Sequence, residues 1–179
     1  EKDRTKIGSP WADYNVGLNL NFAYKQFDLV ANFYSSIGNE IVNENISDLY
    51  NGASLTNKVS GLEQMAWHGE GTSNYIPRLS KDDNNENFTK FSSLYVEDGS
   101  FVRMKNLQLG YSFYNKFGLD KLRLSISGQN LWTWTNYSGV EPEVGAGDPN
   151  NGDRVKGSGF GGWNYPVQPT ILMGLNVAF

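Results

Sequence analysis

No cysteine occurs in the 179 residues, so neither a disulfide framework nor a thiolate metal site can be built from this chain. His68 is the only histidine, and with no cysteine beside it the usual zinc ligands are missing. Excess charge of either sign is scarce too. A net charge of −4 and a pI near 5.0 argue against a nucleic-acid binder. No run of about 18 apolar residues exists, so no helix is expected to cross a membrane. There is no G-x-S-x-G elbow and no phosphate-cradling loop, and nothing in the sequence points to an enzyme. The N-terminal EKDRTKIGSP is charged and turn-like, unlike a signal peptide. Either a signal has been removed or the chain begins inside something larger. A mean hydropathy of −0.50 would ordinarily mean a soluble protein. That inference fails for a membrane barrel, whose strands turn every second residue toward a wet interior.

What the sequence does have is period two. Aromatics make up 14% and glycines number 20, a composition of strands and turns. In NVGLNLNFAYK, Val16, Leu18, Leu20, Phe22 and Tyr24 alternate with Asn15, Gly17, Asn19, Asn21, Ala23 and Lys25. A very tight turn at Gln26 leads to a second run, with Phe27, Leu29, Ala31, Phe33 and Ile37 on one face. Asp28, Asn32, Tyr34 and Ser36 share the other, broken only by Val30. In a third run Leu107, Leu109, Tyr111 and Phe113 alternate with Asn106, Gln108, Gly110 and Ser112. Arg103 and Lys105 there share parity with the leucines, and either a β-bulge near Lys105 or a strand start above the membrane edge would account for it. A fourth sets Leu122, Leu124 and Ile126 against Arg123, Ser125 and Ser127. In the last, Ile171, Met173, Leu175, Val177 and Phe179 alternate with Thr170, Leu172, Gly174, Asn176 and Ala178. The expected strands are 14–25, 27–37, 101–113, 122–135 and 169–179. Each is about the length a tilted strand needs to cross the hydrocarbon layer. None carries a charge on its apolar face at membrane depth, where Arg or Lys costs roughly 2–4 kcal/mol.

Loop lengths agree with this reading. Short connections at Gln26 and 114–121 alternate with long ones at about 39–97 and 137–168. Outer-membrane barrels have short periplasmic turns and long extracellular loops. With the short turns inside, the C-terminus is periplasmic. Tyr24, Phe27, Tyr111, Phe113 and Phe179 then gather at the inner interface, and Trp132, Trp134 and Tyr137 at the outer one, as two aromatic girdles. The expected fold is therefore all-β, a transmembrane antiparallel β-barrel, with 1–179 forming part of one barrel domain. Five strands cannot close, because an open edge leaves backbone groups unpaired in lipid and bacterial barrels have at least eight strands. The remainder of the barrel is expected elsewhere, and the first dozen residues read as the tail of a preceding outer loop.

Several segments resemble the SusC/RagA family of TonB-dependent outer-membrane transporters. IGSPWADYNVGLNLNFAYKQFDLVANFYSSIGNEIVN is similar to its G-x-P turn, glycine-containing strand, YK-x-FDL hairpin and G-N end. YVEDGSFVRMKNLQLGYSF and LRLSISGQNLWTWTNYSGVEPEV resemble two further blocks, with Glu141 where the family usually has Asp. GLNVAF looks like its C-terminal strand. The resemblance implies a 22-stranded plugged barrel of which this chain supplies about five C-terminal strands, numbers 18–22, with the plug outside the chain. It implies import of oligosaccharides or oligopeptides across a Gram-negative outer membrane. The implied partners are the TonB complex, a SusD-like surface lipoprotein, the remaining barrel and plug, and outer-membrane lipid. A passive porin or adhesin-like barrel is the alternative, and a soluble carbohydrate-binding β-sandwich a more distant one.

Candidate residues follow from these placements. Trp67, Trp132, Trp134, Tyr137, Trp163 and Tyr165, assigned to the outer loops, offer flat faces to sugar rings or peptide side chains. For each residue singly the structural alternative is the better one, with Trp132 and Trp134 anchoring the interface and Trp67 and Trp163 packing the loops or the lipoprotein lid. Asn15, Asn19, Asn21, Asp28, Asn32, Gln108, Arg123 and Gln129 face the lumen, along with Lys25, and either line a path or bond to a plug. Leu175, Val177 and the terminal Phe179 resemble the signal read by the outer-membrane assembly machinery. Ser60 and Glu63 suggest a capping box for a short helix ahead of Met65 and Trp67. The oxygen-rich Glu141–Asp153 loop could hold calcium but lacks EF-hand spacing, and turn chemistry explains it better. No cofactor is otherwise expected.

Overall fold

The computed structural model describes residues 4–88, 90–144, 160–161 (backbone only) and 165–179. Their strands are β1 (Tyr14–Tyr24), β2 (Phe27–Ile37), β3 (Glu40–Asn43), β4 (Val96–Asp98), β5 (Phe101–Lys116), β6 (Leu119–Thr135), β7 (Phe160–Gly161) and β8 (Thr170–Ala178). The helices are short: α1 (Asn45–Leu49), α2 (Leu62–Met65) and a 3-10 turn at Ser93–Tyr95. The chain divides into two compact units. One comprises 12–38, 100–136 and 166–179, and the other 1–11, 39–99 and 137–165.

The first unit is a five-stranded antiparallel sheet in the order β1-β2-β5-β6-β8. Its five long strands are those expected from alternation, although β5 and β6 run three residues further toward each other than 113 and 122. Lys116 pairs with Leu119, leaving the two-residue turn Phe117–Gly118. Both turn residues have positive φ, 59° and 74°. That is the hairpin conformation whose twist matches the flanking strands, and glycine occupies its second position. Tyr24 likewise pairs with Phe27 across Lys25–Gln26, with Lys25 at φ 55°.

Cross-strand register keeps each side-chain face continuous. One face carries the rows Leu20–Ala31–Leu107, Phe22–Leu29–Leu109–Ile126–Met173 and Tyr24–Phe27–Tyr111–Leu124–Leu175. These side chains are mostly exposed within the chain; Leu109 is at 47%, Leu124 at 47% and Met173 at 85%. A soluble sheet would have to cover such a surface. The face suits lipid.

The expected bulge is present. Asn32 pairs with Asn106 and Phe33 with Met104, so Lys105 is the extra residue on β5. On β6 the same region holds Asn130 and Leu131 between the pairs Met104–Trp132 and Asn106–Gln129, with Asn130 at φ 52°. The phase change puts Val102 and Met104 on the apolar face and turns Arg103 to the polar one. Arg103, only 2% exposed, donates from Nε to the Thr133 hydroxyl at 2.8 Å and lies over the Phe101 ring.

The second unit has more internal structure than the long loops expected from sequence. A small sheet of order β4-β3-β7 pairs β3 antiparallel to β4 and parallel to β7. Two apolar clusters stabilise it. Ile46, Phe88, Leu94 and Tyr95 form one, and Leu62, Ala66 and Ile76 the other, with Tyr50 packed against both. The N-terminal segment joins through Ser9, whose N–H donates to the Glu40 carboxylate at 2.6 Å while Glu40 N–H donates back to the Ser9 carbonyl at 2.8 Å. Helix α2 exists near the expected place, but the capping box does not form. Gly61, in the left-handed region at φ 76°, stands at the N-cap with no side-chain cap, so Ser60 lies outside the helix. Ala66 is already extended and bridges to Ile76, which ends the helix before Trp67.

Candidate functional site

The polar face of the five-stranded sheet collects the residues assigned to the lumen. Asn15, Asn19, Asn21, Asp28, Asn32, Gln108, Arg123 and Gln129 all have the parity opposite to the leucine rows. Lys25 lies in the hairpin turn, outside β1 and β2. One level of this face is an unbroken row of short polar side chains: Asn19, Asn32, Asn106, Gln129 and Thr170 are successive cross-strand partners through all five strands. Asn32 Oδ1 is buried there and makes no hydrogen bond. Asn106, which the alternation places on the polar face beside Gln108, belongs to this row although it is not among the lumen-facing candidates. Nearer β1, the Tyr34 hydroxyl donates to Asn15 Oδ1 at 3.0 Å.

An ion pair on this face spans three strands. Asp28 on β2 and Arg123 on β6 meet over β5, with Arg123 Nη2 at 2.5 Å from Asp28 Oδ2 and Nε at 3.2 Å from Oδ1. A two-pronged guanidinium–carboxylate contact fixes geometry as well as charge. It closes because Gly110, the β5 partner of Asp28, has no side chain. A Cβ there would come within 2.5 Å of Arg123 Nη2 and 2.6 Å of Asp28 Oδ2. Both residues were singled out from sequence, but their pairing was not, since it depends on register across an intervening strand.

The aromatic candidates separate. Trp132 and Trp134 lie within β6 rather than in a loop, on the apolar face beside Met104 and Val102, and are about half exposed. Their position suits an interface anchor. At the opposite end of the same face, Tyr24, Phe27, Tyr111 and Phe113 gather with edge-on ring contacts of 4.6 Å and 4.7 Å. Phe179 follows β8 on that end and is 91% exposed.

Tyr137 is not part of the strand face that carries Trp132 and Trp134. It is buried in the second unit, 6% exposed, and its ring is packed rather than presented. Burial, with lesser contributions from the Glu97 and Glu44 charges, pushes its phenol up to about 12. Around it Glu97 organises the backbone. Its carboxylate accepts from Ser138 N–H at 2.8 Å, the Ser138 hydroxyl at 2.7 Å and Asn43 Nδ2 at 2.9 Å. Trp67 and Tyr165 do keep exposed surface, at 42% and 84%. Trp163 lies outside the described residues.

Glu141 is buried and its Oε1 accepts from Glu143 N–H at 2.9 Å, a turn contact. The rest of the suggested calcium loop, 148–153, lies outside the described residues. Among the described residues no group of three or more acidic or histidine side chains is arranged to hold a metal ion.

This geometry has close relatives. No family model matches the chain. TonB-dependent receptor P3 of Formosa agariphila is 38% identical over 181 residues, covering 99% of this chain and 17% of its own length. The TonB-dependent receptor SusC of Bacteroides thetaiotaomicron is 25% identical over 190 residues, covering 99% of this chain and 16% of its own. Among solved structures, the RagAB peptide importer in its open-open state superposes with a TM-score of 0.72 at 25% identity, over 92% of this chain and 17% of that one. The chain is a portion of a SusC/RagA-type TonB-dependent receptor. It spans about a sixth of the length of the curated relatives it matches. The five-stranded sheet is thus a fragment of a barrel wall, and its relatives are receptors and transporters rather than enzymes.

The ion pair offers a direct check on this SusC/RagA-type wall. A double-mutant cycle with Asp28→Asn and Arg123→Met, read by denaturant unfolding of the full-length barrel, should give a coupling of about 1 kcal/mol. Strict additivity would mean the two side chains do not interact.

Proposed function

We propose that the whole protein imports large nutrients, oligosaccharides or oligopeptides, across the outer membrane of a Gram-negative bacterium with energy delivered through TonB. The alignment of 99% of the chain with TonB-dependent receptors carries this reading. A SusD-like lipoprotein closes over the outer loops, and a plug from the rest of the protein occupies the interior. The likeness to RagAB supports a partnered importer. The polar face, with its amide row and its internally neutralised Asp28–Arg123 pair, suits either a plug or a hydrated path. The short turns lie toward the periplasm. Two of them, Lys25–Gln26 and Phe117–Gly118, fall at the same end of the sheet as Phe179, which supports a periplasmic C-terminus. Leu175 and Val177 lie on the apolar face of the last strand and Phe179 directly follows it, and we assign the three to recognition during barrel assembly.

Two experiments test these assignments. In the source bacterium, loss of TonB should abolish uptake of the nutrient while leaving surface binding intact. Uptake that persists without TonB would mean a passive pore. Deleting Phe179 from the full-length protein should reduce the amount of heat-modifiable, folded barrel in the outer membrane several-fold. Normal levels would remove the assembly role.

A further inference from the structure

The loop-built unit contains a cleft of about 380 Å³ with a mixed polar and apolar lining, near the lower end of the roughly 300–1,000 Å³ typical of ligand pockets. Asn74, Tyr75, Asn85, Asn87 and Ser93 line it. Tyr75 presents a ring that is 60% exposed, and its hydroxyl is tied down by donating to the Leu94 carbonyl at 3.3 Å. The ring is therefore a fixed flat wall. The side-chain amides of Asn74, Asn85 and Asn87 make no hydrogen bond to other described residues, so their donors and acceptors are free for a ligand.

The segment that carries Asn85 and Asn87 is held in a costly shape. Asp83 and Glu86 both adopt left-handed backbone, at φ 39° and 55°, where non-glycine residues are uncommon. Two bonds secure it: the Asp83 carboxylate accepts from the N–H groups of Asn87 at 3.0 Å and Phe88 at 3.2 Å. Such strain collects where a surface is shaped for binding. Charge in the cleft cancels, because Lys90 Nζ meets the Glu86 carboxylate at 2.7 Å.

We propose that this cleft is a saccharide subsite, in which a neutral sugar ring stacks on Tyr75 and its hydroxyls are bound by the Asn74, Asn85 and Asn87 amides. An amide carries a donor and an acceptor side by side, which matches neighbouring hydroxyls. A charged ligand would find no uncompensated partner, and apart from Tyr75 the walls offer a peptide side chain only the half-buried Pro77 and the edge of the buried Leu94. The inference deepens the import reading by naming the class of nutrient.

Its test uses the full-length protein with any lipoprotein that co-purifies, in detergent. Titration calorimetry would survey neutral hexasaccharides of glucose, galactose and mannose, with an uncharged hexapeptide as comparator. At least one saccharide should bind. Asn85→Ala with Asn87→Ala should weaken it by about tenfold, the loss of two or so modest hydrogen bonds, and Tyr75→Ala by a similar factor. Tyr75→Phe keeps the ring and should bind nearly as well, which separates stacking from a folding defect. No saccharide binding, variants that bind like the parent, or peptide binding with the same residue dependence would each overturn the proposal. Saccharide binding lost in these variants but followed by uptake without TonB would sustain the subsite and sink the import reading instead. TonB-dependent uptake with binding untouched by the variants would do the reverse.

Discussion

Everything in the five-stranded sheet depends on lateral backbone pairing in register. Inside a bilayer no water can satisfy an unpaired N–H or C=O, so each strand must pair with its neighbours along its membrane-crossing length. Register in turn decides which solvent each side chain meets, because a one-residue slip exchanges the two faces. The rows from Phe22 to Met173 and from Asn19 to Thr170 are two readings of that single constraint. So is the ion pair of Asp28 with Arg123, which exists only because register places side-chain-free Gly110 between them.

The same constraint explains why the sheet was legible in the sequence. Period-two alternation fixes the faces of β1, β2 and β8 without any knowledge of tertiary contacts, and the parity conflict at Arg103 and Lys105 announced the bulge. The ends of β5 and β6 were harder, since Asn115, Phe117 and Gly118 adopt positive φ in a turn tighter than composition suggests. Pairing across a strand was not legible at all. Asp28 and Arg123 are 95 residues apart, and only the assembled register brings them together.

The loop-built unit shows the opposite case. Its apolar clusters draw on residues scattered from Ile46 to Tyr95, with no period to mark them. Tyr137 follows two outward tryptophans in sequence yet is buried in the other unit, because the chain leaves β6 at Thr135 and alternation ends with the strand. Ser60 and Glu63 had the spacing of a capping box, but the left-handed Gly61 set the helix start one residue later. Local motifs mislead where tertiary packing, not a lattice of strand pairs, decides the conformation.

The central claim is that one face of this sheet meets lipid and the other does not, with the phase reversing at Lys105. These 179 residues contain no cysteine. With any cysteine in the rest of the full-length barrel replaced, single cysteines at 102, 103, 104, 106, 107, 108 and 109 can each carry a spin label in lipid vesicles. Relaxation by membrane-dissolved oxygen should be high at 102, 104, 107 and 109 and low at 103, 106 and 108. An unbroken odd–even alternation through 105, or equal oxygen access at all seven positions, would contradict the account.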